Sequence, residues 1–285
     1  MLHFKRISVV GAGLIGGSIL LAAKSRKIAA AFSCWSHSPS SLSFWANLGW
    51  VDVHTNLEDC VRDADLVIVA TPVDKIRETF VKISPFLKQG AFVTDVGSIK
   101  GSVLDAASVL PTTISFIGSH PMAGSEKAGA KNAQADLFEN RFCFITPKKG
   151  DSDAEVRKLE LFWRGLGSKT FICNAEKHDE IVAAISHTPH ASAAALMLAV
   201  KNLPGFKQAA VGAGLKDSTR IAAGEENLWV GILLANATHV VQGLKEVEKQ
   251  TLNLRTAIER GDASALSKIL ESARIARQSL DQTHE

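Results

Sequence analysis

The sequence predicts an α/β domain with a doubly wound parallel sheet, followed by an all-helical domain. A glycine-rich turn joins the first β-branched run to an apolar helix. Short apolar runs then alternate with helix-like segments, which is typical of buried parallel strands and their crossover helices. From Glu176 onward the strand signals stop. We therefore expect one domain over residues 1–174 and a second over residues 175–285.

Composition argues against several classes of protein. The chain has 285 residues, 46% hydrophobic and 21% charged, which is enough apolar material for two buried cores. A net charge of +3 without a basic run gives no support for a nucleic-acid partner. Apolar stretches such as residues 191–200 are too short to cross a bilayer, and the N-terminus lacks a signal-peptide pattern. We expect a cytoplasmic protein without a membrane partner.

The glycine-rich turn has the spacing of a dinucleotide-binding motif. Gly11 permits a tight turn, Gly13 lets the backbone approach a pyrophosphate, and Gly16 lets the helix pack on the strand. The helix that follows presents free N–H groups to phosphate. The flanking strand and helix distinguish this motif from an ordinary glycine turn. It predicts a Rossmann-type cofactor site with contacts from Gly11, Gly13, Leu14, Ile15 and Gly16.

The turn after the second strand predicts which cofactor is preferred. In this fold an acidic residue usually follows that strand, here about residues 31–35, and it repels a 2′-phosphate. Ser36, His37 and Ser38 stand in its place. Their hydroxyls and ring nitrogens suit a 2′-phosphate, so we expect NADP, with NAD possible. The same residues before Pro39 also suit a plain helix cap, and the two interpretations are compatible.

Two further strand ends are expected at the same edge of the sheet. The apolar run over residues 64–70 predicts a strand that is buried on both faces. The next strand, residues 91–95, leads to Ser98, which we also place at the cofactor. The earlier of the two strands ends in the expected cofactor contacts Ala70, Thr71 and Pro72.

The rest of the first domain is predicted to extend the same sheet. A strand-like run over residues 114–117 leads into a polar segment that contains His120. Strands at about residues 142–146 and 169–173 are expected to finish the sheet, with a helix over residues 153–166 between them.

The second domain is predicted to contain two long helices. The first, about residues 178–200, is apolar on all sides over its C-terminal half, so it should be a central buried helix kinked at Pro189. The second, about residues 226–260, carries an apolar stripe from Trp229 to Ile258. A stripe of this length predicts helix pairing in a homodimer.

Four polar groups stand out against apolar surroundings. Taken singly, each has an ordinary structural explanation, such as a hydrogen-bonded histidine or a solvated arginine. The histidines at positions 187 and 190 share a helix face, and with His178 or Asp179 they would suit a metal. Their spacing matches no zinc pattern, so no metal is expected. The groups are Ser98 with Lys100, His120 with Ser125 and Glu126, His187 with His190, and Asp217 with Arg220.

These segments resemble the prephenate and arogenate dehydrogenases of tyrosine biosynthesis. The most specific parts are His-Pro-Met-Ala-Gly-Ser-Glu and Ser-His-Thr-Pro-His. The resemblance implies an oxidoreductase that transfers a hydride to a nicotinamide cofactor while its substrate loses carbon dioxide and becomes aromatic. The matching segments are residues 11–18, 95–100, 118–126, 186–190 and 217–222, together with Trp229 and Asn236.

The resemblance also implies roles for individual residues. The base is His120, Ser98 hydrogen-bonds the reacting hydroxyl, and Arg220 holds a substrate carboxylate. The helical domain is expected to form a homodimer. Because NADP-using relatives include many arogenate enzymes, we expect activity on arogenate and prephenate, with arogenate slightly favoured. Further substrate contacts are expected from Ser125, Glu126, His187, His190 and Asp217.

Two other functions remain as alternatives. Another hydroxy-acid or imine reductase with this domain order would need a catalytic lysine in the helical domain. The nearest candidates, Lys201 and Lys216, lie outside the first apolar core of that domain. A non-catalytic NADP-sensing protein would have lost the base, whereas His120 is present.

Overall fold

The computed structural model describes residues 3–124 and 129–282. Contacts between residues divide the chain into two compact units. The first runs to Ile185 and also contains Ala223–Asn236, and the second contains Ser186–Ala222 and the chain from Ala237 onward. The boundary expected after residue 174 marks where the strands end, and as a domain boundary it stays a prediction.

Nine strands and twelve α-helices make up the regular structure of the described residues. The strands are β1 (Phe4–Val10), β2 (Ala29–Trp35), β3 (Asp52–Val53), β4 (Leu66–Val69), β5 (Phe92–Asp95), β6 (Ser115–Phe116), β7 (Gly118–Pro121), β8 (Phe142–Thr146) and β9 (Lys169–Ile172). The helices are α1 (Leu14–Ser25), α2 (Pro39–Leu48), α3 (Leu57–Val61), α4 (Ile76–Ile83), α5 (Gly101–Ala106), α6 (Asp153–Gly165), α7 (Ala175–Val182), α8 (Thr188–Lys201), α9 (Ala213–Thr219), α10 (Glu226–Ala235), α11 (Ala237–Glu259) and α12 (Ala263–Gln282).

The first unit contains the predicted doubly wound sheet, with all strands parallel in the order β3-β2-β1-β4-β5-β6. In the ladder Val10 pairs with Trp35 on one side and Val69 on the other, and Val69 pairs with Asp95. Side chains alternate between two core clusters, so Val9 belongs to one cluster and Val10 to the other. The carboxyl ends of β1, β2, β4 and β5 therefore lie at one edge of the sheet.

The two strands that were expected to finish this sheet, β8 and β9, do not do so, and that expectation was wrong. With β7 they form a separate sheet, in which β7 pairs antiparallel with β8, and β8 pairs parallel with β9. The chain leaves the main sheet after β6, and β7 is attached to the end of β5 through side-chain bonds. Ser119 Oγ donates to the carbonyl of Asp95 at 2.6 Å, and Ser119 N donates to its carboxylate at 3.3 Å. These bonds satisfy polar groups at the end of β5 that would pair with a neighbouring strand if the ladder continued.

A π-helical turn lies where a kink was expected in the long apolar helix. Residues Ala183–His187 form this turn between α7 and α8, directly before the Thr188–Pro189 pair. A wider turn accommodates the proline, which lacks the N–H that an α-helix needs. The stretch Ala175–Lys201 is long and apolar enough to cross a membrane, judged by length and composition alone. Apolar core helices can have the same length and composition, so this is weak evidence for a membrane span.

The expectation that α8 is buried on all sides was wrong. Leu196 is 42% exposed and Leu198 is 62% exposed. Helix α8 packs against α11, where Gly243 lies so near Thr188 that an added Cβ would come within 2.2 Å of the threonine hydroxyl. Apolar side chains of the C-terminal half of α8 are nevertheless exposed within the single chain.

The predicted helix over residues 226–260 is two helices, α10 and α11, because the chain leaves helical geometry at Asn236. This residue has φ −115° and ψ 27°, and its side-chain amide donates to the carbonyl of Asp179 at 2.8 Å. A buried asparagine whose side chain bonds outside its own helix can stabilise a helix break. No glycine or proline marks this break in the sequence.

Candidate active site

A cavity of about 600 Å³ lies in the first unit, at the carboxyl ends of β1, β2 and β4. Many of the predicted cofactor contacts line it: Gly11, Gly13, Ser36, His37, Ser38, Ala70, Thr71 and Pro72. The lining residues do not include Leu14, Ile15, Gly16 or Ser98. The remaining lining residues are Trp35, Ser40, Ser41, Phe44, Gly129, Ala130 and Lys131.

The glycines of the first turn differ in what they permit. Gly11 has φ +103°, and a Cβ there would lie 2.5 Å from the carbonyl oxygen of Ala70. A Cβ on Gly16 would lie 2.3 Å from the carbonyl oxygen of Gly11. A Cβ on Gly13 would meet no atom within 4 Å, so this position is open to the cavity. The geometry fits the predicted division between packing glycines and one that admits a pyrophosphate.

The β2–α2 turn caps a helix and also lines the cavity. Ser38 accepts a hydrogen bond from Ser41 N at 3.4 Å and so caps α2, and Ser36 accepts one from Ser38 N at 3.2 Å. Both serines also line the cavity. Among the described lining residues there is no carboxylate, and Lys131, which sequence reasoning missed, adds a cation.

Three side chains form a buried relay that begins at His120 on β7. His120 Nδ1 lies 2.9 Å from His178 Nε2, and His178 Nδ1 lies 2.7 Å from Asp179 Oδ1. Helix α7 supplies the second and third members. Asp179 is fixed in turn, because it accepts from the backbone N–H groups of Lys100 and Gly101 at 2.8 Å each.

The protonation of this relay follows from burial and hydrogen bonding. Burial lowers the pKa of His178, although its hydrogen bond to Asp179 acts in the opposite direction. Burial acts to raise the pKa of Asp179, but hydrogen bonds, above all from His178, outweigh it and hold that pKa below the usual range. A neutral His178 that donates from Nδ1 to a carboxylate must accept at Nε2. His120 then donates from Nδ1, and in a neutral His120 ring the lone pair is on Nε2.

A buried ion pair ties together the segments that carry Ser98 and His120. Lys100 Nζ donates to the carboxylate of Asp95 and to the carbonyl of Ser119, the latter at 2.7 Å. Burial lowers the pKa of Lys100 and raises that of Asp95, and the attraction between the two groups opposes both shifts. Removal of either partner would leave the other as a buried charge without its counter-ion. The turn after β5 and the strand β7 therefore share one anchor.

The other predicted substrate contacts lie in the second unit or outside the described residues. His187 and His190 are buried, and burial lowers the pKa of His190. Asp217 and Arg220 are exposed at the C-terminal end of α9, which contacts α8. The structure thus brings the α8 histidines and the α9 end into one unit, and Ser98 and His120 into the other. Ser125 and Glu126 lie outside the described residues.

Two residues named in the metal alternative, His178 and Asp179, are hydrogen-bonded to each other. Within residues 3–124 and 129–282, no three His, Cys, Asp or Glu side chains are grouped to hold a metal ion. His178 also bonds to His120.

Comparisons with known proteins identify the family. Residues 21–172 match the family described as the nucleotide-binding domain of prephenate dehydrogenase, and residues 174–272 match the dimerization domain of prephenate dehydrogenase. A prephenate dehydrogenase of Lactococcus lactis is 32% identical, over 97% of this chain and 78% of the relative.

Two solved structures share the whole architecture. The prephenate dehydrogenase of A. aeolicus in complex with hydroxyphenyl propionate and NAD+ superposes with a TM-score of 0.89 at 29% identity, over 98% of both chains. The Synechocystis arogenate dehydrogenase superposes with a TM-score of 0.83 at 26% identity, over 96% of this chain and 99% of that one. The chain therefore belongs to the prephenate dehydrogenase family and is an NAD(P)-dependent oxidoreductase.

Proposed function

We propose that this enzyme catalyses the NADP-dependent oxidative decarboxylation of arogenate and prephenate, in tyrosine biosynthesis in the cytoplasm. The observation that carries the proposal is the relay from His120 through His178 to Asp179, in the same unit as the cavity that the glycine motif lines. A base with a fixed tautomer beside a cofactor fold is what hydride abstraction from an alcohol requires.

The reaction needs three changes at one substrate ring. A hydride leaves the ring carbon that bears the hydroxyl, the hydroxyl loses its proton, and carbon dioxide departs from the opposite ring carbon. The electrons of the broken carbon–carbon bond complete the aromatic ring as a phenolate, which takes the proton back from the base to give the phenol. When bound, the nicotinamide accepts the hydride. The protein must supply a proton acceptor and hold the ring in place.

We assign proton removal to His120. Its Nε2 holds the lone pair, since Nδ1 is committed to His178. When Nε2 takes the hydroxyl proton, the positive charge on the ring is stabilised through neutral His178 by the Asp179 carboxylate. Ser98, held by the turn that the Lys100 anchor fixes, is assigned to orient the substrate hydroxyl.

Anchoring of the substrate is assigned by resemblance to the family. The planar guanidinium of Arg220 suits a carboxylate, which it can hold with two parallel hydrogen bonds. Glu126 would favour the ammonium group of arogenate over the keto group of prephenate. We therefore propose activity on both substrates, with arogenate slightly favoured. Further contacts are proposed from Ser125, His187, His190 and Asp217.

The NADP preference rests on the absence of a carboxylate from the described cavity lining. A carboxylate beside the adenosine ribose would repel a 2′-phosphate, whereas the Ser36–Ser38 turn offers hydroxyls and backbone N–H groups. The A. aeolicus relative was solved with NAD+, so use of NAD+ is the alternative to exclude.

A homodimer built on the helical domain is proposed on two grounds. The matching family domain is described as a dimerization domain. Large apolar side chains on the helices of the second unit are exposed in the single chain, which is unusual for a surface that faces only water. Examples are Leu196, Leu198, Val241, Leu252 and Ile258.

One assay tests the proposed function. Purified protein is incubated with arogenate or prephenate and with NADP+ or NAD+, and reduced nicotinamide is followed by its absorbance. Turnover with either substrate and NADP+ is the expected result. No turnover in any of the four combinations, with a correctly folded protein, would refute the assignment and favour a cofactor-sensing role.

A further inference from the structure

A third wall of the cofactor cavity comes from outside the strand-helix-strand units. It consists of Gly129, Ala130 and Lys131, and the last two belong to a short 3₁₀ turn, Ala130–Asn132. The glycine motif and the β2–α2 turn form the other walls. A side chain on this third wall would contact a bound nucleotide from a side that neither the glycine motif nor the β2–α2 turn reaches.

The backbone of this wall is anchored to the helices beside the cavity. Gln134 N donates to Ser18 Oγ on α1 at 2.9 Å. A Cβ on Gly17 would lie 3.0 Å from the Cβ of Ala133, so the segment and α1 approach closely. The 3₁₀ turn also packs against α2. The position of the Lys131 backbone at the cavity is therefore fixed, and only its side chain needs to adjust to a ligand.

Lys131 differs in charge from every other described residue of the cavity lining. The other fourteen are glycine, alanine, proline, hydroxyl-bearing or aromatic residues and one histidine, and none carries a carboxylate. Lys131 is exposed, and it makes no ion pair with another described residue. Its ammonium group is thus a positive charge that the described lining offers to an anion.

We infer that Lys131 binds the 2′-phosphate of NADP and sets the preference for NADP over NAD. A pyrophosphate already receives the backbone N–H groups of the glycine turn and the start of α1. A 2′-phosphate at the β2–α2 turn would receive hydroxyls but little charge compensation without Lys131. The inference rests on the proposed function in that a nicotinamide dinucleotide must fill this cavity.

Isothermal titration calorimetry with NADP+ and NAD+ tests the inference without any turnover. K131Q should raise the Kd for NADP+ about tenfold, the size of one exposed charge-assisted contact to phosphate. The Kd for NAD+ should change by less than about twofold. K131R should keep the parent preference. The matched control is K149Q, which removes the same charge from an exposed loop outside the cavity lining and should change neither Kd.

Two fragments locate the contact within the nucleotide. Adenosine 2′,5′-bisphosphate and adenosine 5′-monophosphate differ only in the 2′-phosphate. K131Q should weaken binding of the bisphosphate, or competition by it against NADP+, and leave the monophosphate unchanged. Equal losses for both fragments and both cofactors would assign Lys131 to the 5′-side phosphates and overturn the inference, as would no loss at all. A parent protein that prefers NAD+ would contradict the proposed cofactor. The ratio of the Kd for NADP+ in K131Q to that in the parent would still show whether Lys131 binds the 2′-phosphate.

Discussion

His178 Nε2 lies 2.9 Å from His120 Nδ1, and this contact makes Nδ1 the donating nitrogen of the proposed base. The arrangement has the logic of a catalytic triad in which a second histidine stands between the base and the carboxylate. Neutral His178 transmits the orientation set by Asp179 at 2.7 Å without placing a charge beside His120. His178 is a positioning residue, since it acts through His120.

We predict that H178N lowers kcat by about 10- to 100-fold, as loss of an outer partner of a reactive histidine typically does. Asparagine keeps a donor near the position of Nδ1 and so retains the bond to Asp179, but it cannot reach His120. Steady-state kinetics over a range of pH measure the effect, and KM for the cofactor should stay near the parent value. Parent-like kcat at every pH would remove His178 from the mechanism.

The second prediction concerns the base itself. H120N should reduce turnover by about 10²- to 10⁴-fold, the usual contribution of a general base. The asparagine amide can still donate to His178 Nε2, so the relay and the fold should survive. Calorimetry should show cofactor binding close to that of the parent protein. If H120N turns over at the parent rate, another group removes the proton.

A third prediction addresses cofactor choice at the β2–α2 turn. S36D should shift the ratio of kcat/KM for NADP+ and NAD+ toward NAD+, because a carboxylate repels a 2′-phosphate. The aspartate can still accept from Ser38 N, so the turn should keep its shape. S36N has a similar size without the charge and serves as the control. An unchanged ratio in S36D would show that the turn does not meet the ribose phosphate.

The pH dependence of stability follows from the lowered pKa of His178. The folded protein keeps this ring neutral beside Lys100, Asp95 and Asp179. In the unfolded chain the ring takes up a proton at about pH 6.5. The unfolded state therefore binds more protons, so the contribution of His178 to stability is present above that pH and is lost as the pH falls. We expect the midpoint of thermal unfolding to fall between about pH 7 and about pH 5.

H178N should flatten this dependence when unfolding is followed by circular dichroism. It should not abolish it, because burial also lowers the pKa of His190, which contributes with the same sign. Identical pH profiles for H178N and the parent would mean that His178 does not titrate differently on folding.

The fifth prediction tests how the substrate side chain is recognised. E126Q should lose more kcat/KM with arogenate than with prephenate, because the neutral amide no longer attracts an ammonium group. The comparison is internal, so a general loss of activity cancels. Equal losses would show that Glu126 does not discriminate between the two side chains.

Local signals accounted for the parts of the fold that short segments determine. The helix predicted to start at Pro39 does so, since the residue before it caps the helix and proline suits a first turn whose N–H groups are free. The glycine turn likewise has the geometry that its spacing implied. In both cases the residues that decide the conformation are neighbours in sequence.

Features that depend on distant partners were not predictable in this way. The helix break at Asn236 needs the carbonyl of Asp179, far earlier in the chain. His178 is an unremarkable histidine until folding places it against His120. Lys131 reaches the cavity only because its segment is anchored to α1. A single sequence contains no local pattern for such contacts, since they arise from packing.

The turn between β5 and α5 has an unusual dynamic consequence. Turn amides generally exchange their hydrogens with water quickly, because small loop motions expose them. Here Gly97 N is held by Asp95, and the N–H groups of Lys100 and Gly101 are held by Asp179. Their exchange therefore requires the opening of a buried carboxylate and proceeds on the timescale of local unfolding. The segment that presents Ser98 is preorganised before any substrate arrives.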